Sequence, residues 1–251
     1  MSDSREEATA ELRAQYLRLL QRLEANEREF RRLGRAVWRV QEDERRRLAR
    51  ELHDGVGQNL TALKHRLVQL GEGAPPALRT QLDAAIALCG DTLEDTRAMS
   101  RLLRPPILDD LGLEPALRWL ARSVGEAAGL DVSVDVEPLP ALDGDLQTLL
   151  FRVAQEALNN VARHAQARSA LVRLVARAGR LQLQVADDGR GCDPSAAFGL
   201  GGSGLGGMRE RLRLHDGVLE LHSSPGQGMR LRAVVPLPAA AARRRQARRA
   251  A

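Results

Sequence analysis

The eight residues from Glu51 to Gln58, which read Glu-Leu-His-Asp-Gly-Val-Gly-Gln, constrain the fold of this chain most strongly. They lie in a stretch from about Gln41 to about Leu70 that predicts one amphipathic helix, because apolar residues recur there three or four positions apart. These apolar residues are Leu48, Leu52, Val56, Leu60, Leu63, Leu67 and Leu70. Gly55 and Gly57 each cost roughly 1 kcal/mol relative to alanine inside a helix. Two such costs beside His53 indicate that something large must come close to this histidine.

His53 and Asp54 have two interpretations when they are considered alone. They could be a polar pair on the surface of an amphipathic helix. Alternatively, Asp54 could accept the proton of one ring nitrogen and leave the lone pair of the other free to attack an electrophile. Gln58 lies four residues after Asp54, so the two share a helix face, and an α-helix would rotate Gln58 about 140° from His53. The choice depends on whether the rest of the chain supplies an electrophile.

The composition excludes several classes of protein. Only 2% of the residues are aromatic while 43% are hydrophobic, so a core must be built from aliphatic side chains. The two cysteines, Cys89 and Cys192, lack the spacing of metal ligands and fit a reducing compartment. No apolar run reaches the ~18 residues of a membrane span, and the first residues lack the apolar segment of a signal peptide. We therefore expect a cytoplasmic chain without a transmembrane segment.

The net charge of +5 raises the question of nucleic-acid binding. Acidic residues are interspersed with the arginines, and Lys64 is the only lysine. The densest basic cluster lies in residues 239–251, which we expect to form a disordered, solvated Ala/Arg tail. These features predict no direct contact with nucleic acid.

The first half of the chain predicts two helical units. Residues 1–40 predict a helix that could form a coiled coil with a second subunit or stand alone in solvent. Residues 41–104 predict a hairpin of two amphipathic helices, with its turn at residues 71–76, where glycine and proline cluster. A lone hairpin leaves its apolar stripe exposed to solvent, and pairing two hairpins into a four-helix bundle would bury that stripe. We therefore expect a homodimer with an all-α dimerisation unit.

Residues 105–238 alternate between helical and strand patterns and predict an α+β sandwich with helices on one face of a mixed sheet. A connector is expected at residues 107–113, and residues 178–179 predict a hairpin turn. The expected helices are 114–128 and 143–166, and the expected strands are 131–136, 169–177, 180–186, 217–221 and 229–235. The chain as a whole is thus predicted to be multidomain.

A polar cluster in this second half lies on one predicted helix. Glu156, Asn160 and His164 follow one another at intervals of four residues, so they share a helix face. A carboxylate and a carboxamide at this spacing could hold a hydrated magnesium ion, which takes oxygen ligands and keeps several waters. An ordinary polar helix face would show the same residues, and this cluster alone does not decide between the two.

Two further clusters are rich in glycine. Asp187 begins the run Asp-Asp-Gly-Arg-Gly after a strand, where a carboxylate could accept a hydrogen bond from an amino group such as that of adenine. An ordinary Asp-Gly turn would have the same residues. Residues 199–207 contain six glycines and lead directly into an amphipathic helix. This arrangement favours a phosphate cradle at a helix N-terminus over a flexible linker.

Taken in order, these motifs resemble those of two-component sensor histidine kinases, in the subfamily with an HDxxxQ phosphoacceptor motif and NarL-type response-regulator partners. The resemblance covers about residues 41–237. It rests on residues 44–54 with Gln58, 155–160 with 164–165, 187–191 and 204–211. Each motif alone is weak evidence for this family, but all of them together, in this order, are highly specific for it.

The resemblance implies a GHKL-type ATP-binding domain that supplies the electrophile. His53 would accept the γ-phosphoryl group of ATP, with Asp54 as orienter and base. Gln58 would orient a water that dephosphorylates the regulator. The phosphoryl group would pass from His53 to the receiver aspartate of a response regulator of the NarL/LuxR type, with a helix-turn-helix output domain.

The resemblance also implies the ligands of ATP and Mg²⁺. Asn160 would ligate the magnesium ion, with Glu156 assisting beside it, and Asp187 would bind the adenine amino group. The remaining nucleotide-binding residues would be His164, Gly189, Gly191, Gly204, Leu205 and Gly206. Met229 departs from the family pattern, because threonine usually stands there, and the missing hydroxyl puts the strength of ATP binding in doubt.

Two other functions stay open at this point. A GHKL-fold ATPase or protein-serine kinase would not use His53, and its phosphate would be stable in acid. A non-catalytic dimeric scaffold or nucleic-acid binder would use the arginine-rich tail and would need no nucleotide.

Overall fold

The computed structural model describes residues 3–193 and 203–237. Its first element is a helix, α1 (Asp3–Arg50), which continues through a π-helical segment (Glu51–Gly57) into α2 (Gln58–Glu72). The helix was expected to begin at about Gln41, but it is continuous from near the start of the chain. No proline interrupts it before the pair at residues 75–76, so nothing ends it earlier.

The helical hairpin is confirmed. The chain turns at residues 73–75, and α3 (Pro76–Leu103) returns along α2, with proline at its first position, where no amide N–H is needed. Cys89, Leu93, Thr96 and Ser100 are its buried residues.

The apolar stripe of the hairpin is only partly covered by its own chain. Leu48, Val56, Leu63 and Leu70 remain 38%, 44%, 48% and 65% exposed. A two-helix hairpin cannot bury both sides of its helices, so the leucines that do not face α3 stay at the surface. No helix in the described ranges is both long and apolar enough to span a bilayer.

Two helices lead from the hairpin to the sheet. The expected connector at residues 107–113 contains a short helix that was not predicted, α4 (Pro106–Asp110). Pro106 can begin a helix because its missing N–H is not required there. Helix α5 (Leu113–Ala128) follows and ends at Gly129, whose φ of 65° closes the helix in the left-handed conformation.

Strand β1 (Asp131–Val136) precedes the central helix of the α/β unit, α6 (Gly144–Asn160). Asp143 caps α6, because its side chain accepts a hydrogen bond from the amide of Leu146 at 2.8 Å. The predicted helix reached residue 166, but α6 changes into a π-helical turn (Val161–Ala165) and ends before Gln166, which has a φ of 53°.

The remaining elements are β2 (Ser169–Arg177), β3 (Arg180–Asp187), α7 (Ser203–Leu214), β4 (Val218–Ser223) and β5 (Met229–Pro236). The sheet order is β1-β2-β3-β5-β4, with β1 and β2 parallel and the other pairs antiparallel. Residues 178 and 179 form the β2–β3 turn with φ values of 49° and 73°. The expected α+β sandwich on a mixed sheet is therefore confirmed.

The core lies between the sheet and helices α5, α6 and α7. Val172 and Leu174 of β2 and Leu181 and Leu183 of β3 face it and are fully buried. Alternate positions along β2 and β3 are more exposed, as expected for a sheet with one covered face.

Helix α1 packs against the α/β unit, a contact that was not predicted. Trp38 joins the core cluster, and its ring meets His215 edge to face at 5.3 Å between centroids. Glu42 of α1 accepts a hydrogen bond at 2.7 Å from Arg152 of α6, and both side chains are buried. The region expected as a coiled coil or a solvated helix thus contacts the predicted nucleotide-binding unit.

Candidate functional site

His53 lies on the π-helical segment, exposed, between two grooves of the helical hairpin. One groove, of about 580 Å³, is lined by His53, Gln58, His65 and Arg97 among others. The other, of about 460 Å³, is lined by His53 and Asp54 with the end of α3 and with α4. Isolated π-helical turns occur frequently at functional sites.

The π-helical turn changes the predicted relation between His53 and Gln58. An α-helix would rotate them about 140° apart, but in a π-helix the backbone bonds join residues five apart, which brings such residues nearly above one another. His53 and Gln58 line the same groove, while Asp54 lines the neighbouring ones. The expected rotation of about 140° gave no indication that the two side chains would border one groove.

The two glycines beside His53 are not required by packing within the chain. A Cβ atom on Gly55 would meet nothing within 4 Å, and one on Gly57 would lie 3.5 Å from the carbonyl oxygen of Leu52. The latter is an ordinary contact distance. The open space over Gly55 is consistent with the approach of a large group from outside the hairpin.

A second set of site residues meets where α6 faces the start of α7. A Cβ atom on Gly204 would overlap Oε1 of Glu156 and would lie 3.6 Å from Nδ2 of Asn160. A side chain at position 204 would displace the Glu156 carboxylate, so glycine lets the first turn of α7 lie against it. The structure thus brings together two of the three predicted sequence clusters.

The donors at this junction suit a magnesium ion held mainly by a nucleotide. Glu156 offers a carboxylate and Asn160 a carboxamide oxygen, both half-buried, and Mg²⁺ commonly takes one or two protein oxygens with waters and phosphates. Among the described residues no cluster of three or more His, Cys, Asp or Glu side chains could hold a metal by itself. The residues therefore fit a shared metal rather than a protein-only site.

Asp187 and Asp188 have different environments at the end of β3. Asp188 accepts hydrogen bonds from Arg168 N, Ser169 N and Ser169 Oγ at 2.8, 3.0 and 2.9 Å, which lower the pKa of this carboxyl. Asp187 is half-buried, and desolvation raises its pKa although the amides of Gly189 and Met229 oppose that shift. Asp188 thus ties the turn to β2, whereas Asp187 accepts a hydrogen bond from the amide of Gly189 at 2.9 Å and has remaining acceptor capacity for a ligand.

Gly189 and Gly191 have a packing reason for lacking side chains. A Cβ atom on Gly189 would overlap the backbone of Ala165, and one on Gly191, at a φ of 61°, would overlap that of Ser224. Gly228, which was not predicted as a site residue, lies against the backbone of Asp187 in the same way. These glycines hold the Asp187 turn between two neighbouring loops.

Several other residues that were predicted to bind the nucleotide lie apart from the contact between Gly204 and Glu156. His164 is exposed in the π-helical turn after α6, and no hydrogen bond or ion pair joins it to Asn160 anywhere in the described ranges. Leu205 packs against the core from the first turn of α7, while a Cβ atom on Gly206 would meet open space. Residues 199–202 of the predicted glycine loop lie outside the described residues.

Arg211 is a candidate that sequence reasoning missed. It lies seven residues after Gly204 on α7, and its Nε is buried without a hydrogen-bond partner among the described residues. Burial lowers the pKa of this guanidinium, and the nearby Glu156 carboxylate opposes that shift. Arg211 lies within residues 204–211, the last of the sequence motifs, but the motif itself gave this arginine no role.

Two family models match the chain. One, described as "Histidine kinase", matches residues 44–108, and the other, described as "Histidine kinase-, DNA gyrase B-, and HSP90-like ATPase", matches residues 145–239. The first contains His53 and Gln58, and the second contains Glu156, Asn160 and Asp187. Together the two ranges cover more than half of the chain.

Three curated relatives are similar over most of this chain. They are the sensor histidine kinases MctS of Rhizobium johnstonii (37% identity, 81% of this chain, 45% of the relative), ComP of Bacillus subtilis (32%, 79%, 27%) and LiaS of Bacillus subtilis (31%, 81%, 58%). The chain spans about half the length of these relatives or less, apart from LiaS, of which it spans 58%. With a helical hairpin that carries the histidine motif and an α/β unit of the matching kind, the chain belongs to the histidine kinase family.

Proposed function

We propose that this chain is the kinase core of a two-component sensor histidine kinase. It binds ATP in the α/β unit, phosphorylates its own His53, and donates the phosphoryl group to an aspartate of a response regulator. The observation that carries the proposal is the contact of Gly204 with Glu156 and Asn160, in a chain that also presents an exposed His53–Asp54 pair on its helical hairpin.

The nucleotide site is assigned to the residues around this contact. Asp187 accepts a hydrogen bond from the adenine amino group, since Asp188 is already engaged by the β2 backbone. Backbone N–H groups of Gly204, Leu205 and Gly206, in the first turn of α7, point toward the phosphates, as the N-terminus of a helix favours anions. Asn160 and Glu156 would hold Mg²⁺, which would neutralise part of the phosphate charge.

The protein's part in the reaction is mostly positioning. Phosphoryl transfer needs alignment and charge stabilisation more than covalent chemistry from side chains other than the acceptor. Asp54 orients the imidazole of His53 and accepts its proton, which leaves one ring nitrogen free to attack phosphorus. The exposure of both residues lets a nucleotide domain, and afterwards a regulator, reach them.

The hairpin serves the later steps as well. Gln58 orients a water toward a phospho-aspartate bound over the hairpin, a role supported by the groove that it shares with His53. We assign the regulator to the NarL/LuxR type and the active form to a homodimer in the cytoplasm. The exposed leucines of α1 and α2 support the dimer, because a second hairpin would cover them.

Met229 bears on the affinity for ATP. It begins β5 opposite Asp187, and its backbone amide lies near the Asp187 carboxylate. A threonine there would place a hydroxyl beside the adenine-binding group, and methionine cannot. The loss of one neutral hydrogen bond costs about 0.5–1.5 kcal/mol, so ATP binding is weakened rather than abolished.

The acid stability of the bound phosphate tests this proposal. The chain is incubated with ATP labelled in the γ-phosphate and with Mg²⁺, and the labelled protein is then treated separately with acid and with base. Phosphohistidine loses its label in acid and keeps it in base. Acid-stable label would favour a protein-serine kinase, and a wild-type chain that takes up no label would contradict the proposed kinase.

A further inference from the structure

The groove between α1, α3 and α4 borders His53 and carries several charged groups. Its guanidinium groups belong to Arg46, Arg50 and Arg104, and its carboxylates belong to Asp54, Asp109 and Asp110. Positive and negative charges are therefore mixed in this groove. Its capacity to bind an anion depends on which guanidinium group is still available.

Two of the three arginines are engaged by Asp109. Arg46 donates to its carboxylate at 2.5 and 3.1 Å, and Arg104 donates at 2.7 and 3.1 Å. Burial would raise the pKa of Asp109, but the hydrogen bonds from these two guanidinium groups lower it to about 2. The carboxylate is thus charged at neutral pH, and both arginines are held in place.

Arg50 differs from both. Its exposed side chain has one weak contact among the described residues, from Nε to the carbonyl oxygen of Arg46 at 3.4 Å, and makes no ion pair there. It lies three residues before His53 and four before Asp54, where α1 passes into the π-helical segment. It lines two grooves, one shared with both residues and one with Asp54 alone.

The other groove of His53 offers no comparable group. Its guanidinium belongs to Arg97, which pairs with Glu94 at 2.7 Å. Within the described grooves that His53 borders, Arg50 is therefore the guanidinium that no carboxylate occupies. An arginine keeps its charge at physiological pH, and its forked N–H groups match the oxygens of a phosphate.

We propose that Arg50 is a further catalytic residue, whose guanidinium binds the phosphoryl group as it passes from ATP to His53. The inference rests on the proposed kinase function. In this step the lone pair of one imidazole nitrogen forms the N–P bond. The bond from the γ-phosphorus to the bridging oxygen breaks, and ADP leaves with that electron pair. The proton on the other ring nitrogen passes to Asp54 and then to water.

Arg50 contributes to this step through charge. The transferring group carries negative charge on its three non-bridging oxygens, and positioned donors stabilise such charge in the transition state. Removal of one donor of this kind typically lowers a turnover rate by about 10²–10³. Because Arg50 is exposed, we expect a smaller but clear loss, of at least about tenfold.

The test compares Arg50→Gln, Arg50→Lys and the wild-type chain in single-turnover autophosphorylation, with ATP affinity measured separately by calorimetry. We expect Arg50→Gln to lower the rate at saturating ATP at least about tenfold, with an ATP dissociation constant within about twofold of wild type. Arg50→Lys keeps the charge without the fork and should lose less. Arg66→Gln is the matched control, because Arg66 is an exposed arginine on α2 outside both grooves.

The outcomes separate this inference from the proposed function. A rate for Arg50→Gln within twofold of wild type would overturn the role of Arg50 while leaving the kinase intact. The role would also be overturned if Arg50→Gln lost ATP affinity as much as rate, or if its melting temperature fell below that of wild type. The same holds if Arg66→Gln lost as much rate as Arg50→Gln. A wild-type chain that takes up no phosphate would instead refute the proposed function itself.

Discussion

His53 and Gln58, five residues apart along the chain, line one groove of the helical hairpin. The π-helical turn between Glu51 and Gly57 produces this arrangement, since an α-helix would direct the two side chains to different sides. A protein that docks over His53 to receive a phosphoryl group would therefore meet Gln58 as well. A single docked protein would thus contact both the proposed phosphoryl donor and an amide that can hold a water.

We predict that Gln58→Ala separates the two activities of the hairpin. A neutral amide cannot act as a base toward His53, but it can donate to and accept from a water placed in line with a phospho-aspartate. The variant should autophosphorylate and transfer normally while losing dephosphorylation of the regulator. The measurement is the decay of purified phosphorylated regulator with each protein added. Equal decay with wild type and variant, both faster than without kinase, would show that Gln58 has no such role.

We predict that Asn160→Asp and Asp187→Asn each weaken ATP binding severely. The first change alters the charge and geometry of a proposed metal ligand beside Glu156. The second removes a charged acceptor, whose hydrogen bonds are worth roughly 1.5–3 kcal/mol. Calorimetric titration with ATP and Mg²⁺ measures both effects. Asp188→Asn is a useful comparison, because Asp188 is bonded to the β2 backbone and should affect folding more than affinity. Unchanged ATP affinity in both site variants would refute the assigned site.

The secondary structure of the α/β unit was largely predictable from sequence. All five strands begin and end within two residues of the predicted bounds, because alternating apolar residues and flanking turn residues are local signals. The two π-helical turns were not predictable. Hydrophobic periodicity indicates a helix and which side is apolar, but it does not distinguish backbone bonds between residues four apart from those between residues five apart.

The residues of the candidate site remain a prediction from sequence, and their contacts with one another were predictable only in part. The glycine cluster and the helix cluster were expected to act together, and Gly204 does contact Glu156. The different roles of Asp187 and Asp188 depend on the backbone of β2, which no local pattern reveals. The contact of Trp38 and Glu42 with the α/β unit is also non-local. Neither the coiled coil or solvated helix expected for residues 1–40 nor the hairpin expected from residue 41 indicated it.

We predict that Glu42→Ala destabilises the chain. Glu42 and Arg152 are each 6% exposed and form a 2.7 Å ion pair. Loss of one partner of a buried pair typically costs about 3–5 kcal/mol, because the other charge is left without compensation. For a chain of this size we expect the melting temperature to fall by roughly 6 °C or more.

Glu44→Ala is the control for this change. Glu44 pairs with Arg47 at 2.6 Å, but both side chains are largely exposed, and exposed pairs contribute little. Its melting temperature should stay near that of wild type. If Glu42→Ala and wild type had the same melting temperature in a thermal scan, the buried ion pair would not stabilise the contact between α1 and α6.

We predict a dimer through the hairpin of residues 41–104. Exposed apolar residues along α1, α2 and α3, among them Leu63, Leu70 and Leu88, are more than a single soluble chain normally leaves uncovered. Light scattering at micromolar concentration should give twice the mass of 27.5 kDa. Replacing Leu63 and Leu70 together by glutamate should shift the population toward the single chain. A monomeric wild type would count against the bundle.

The identity of the phosphorylated residue tests the central claim most directly. His53 and His65 line the same groove, so the comparison of His53→Gln with His65→Gln separates the proposed acceptor from its nearest alternative. Each variant is incubated with labelled ATP and Mg²⁺, and ATP binding is measured in parallel. We predict that His53→Gln binds ATP like wild type and takes up no label, while His65→Gln is labelled normally. Persistent labelling of His53→Gln, with undiminished ATP binding, would contradict the assignment of His53 as the phosphoacceptor.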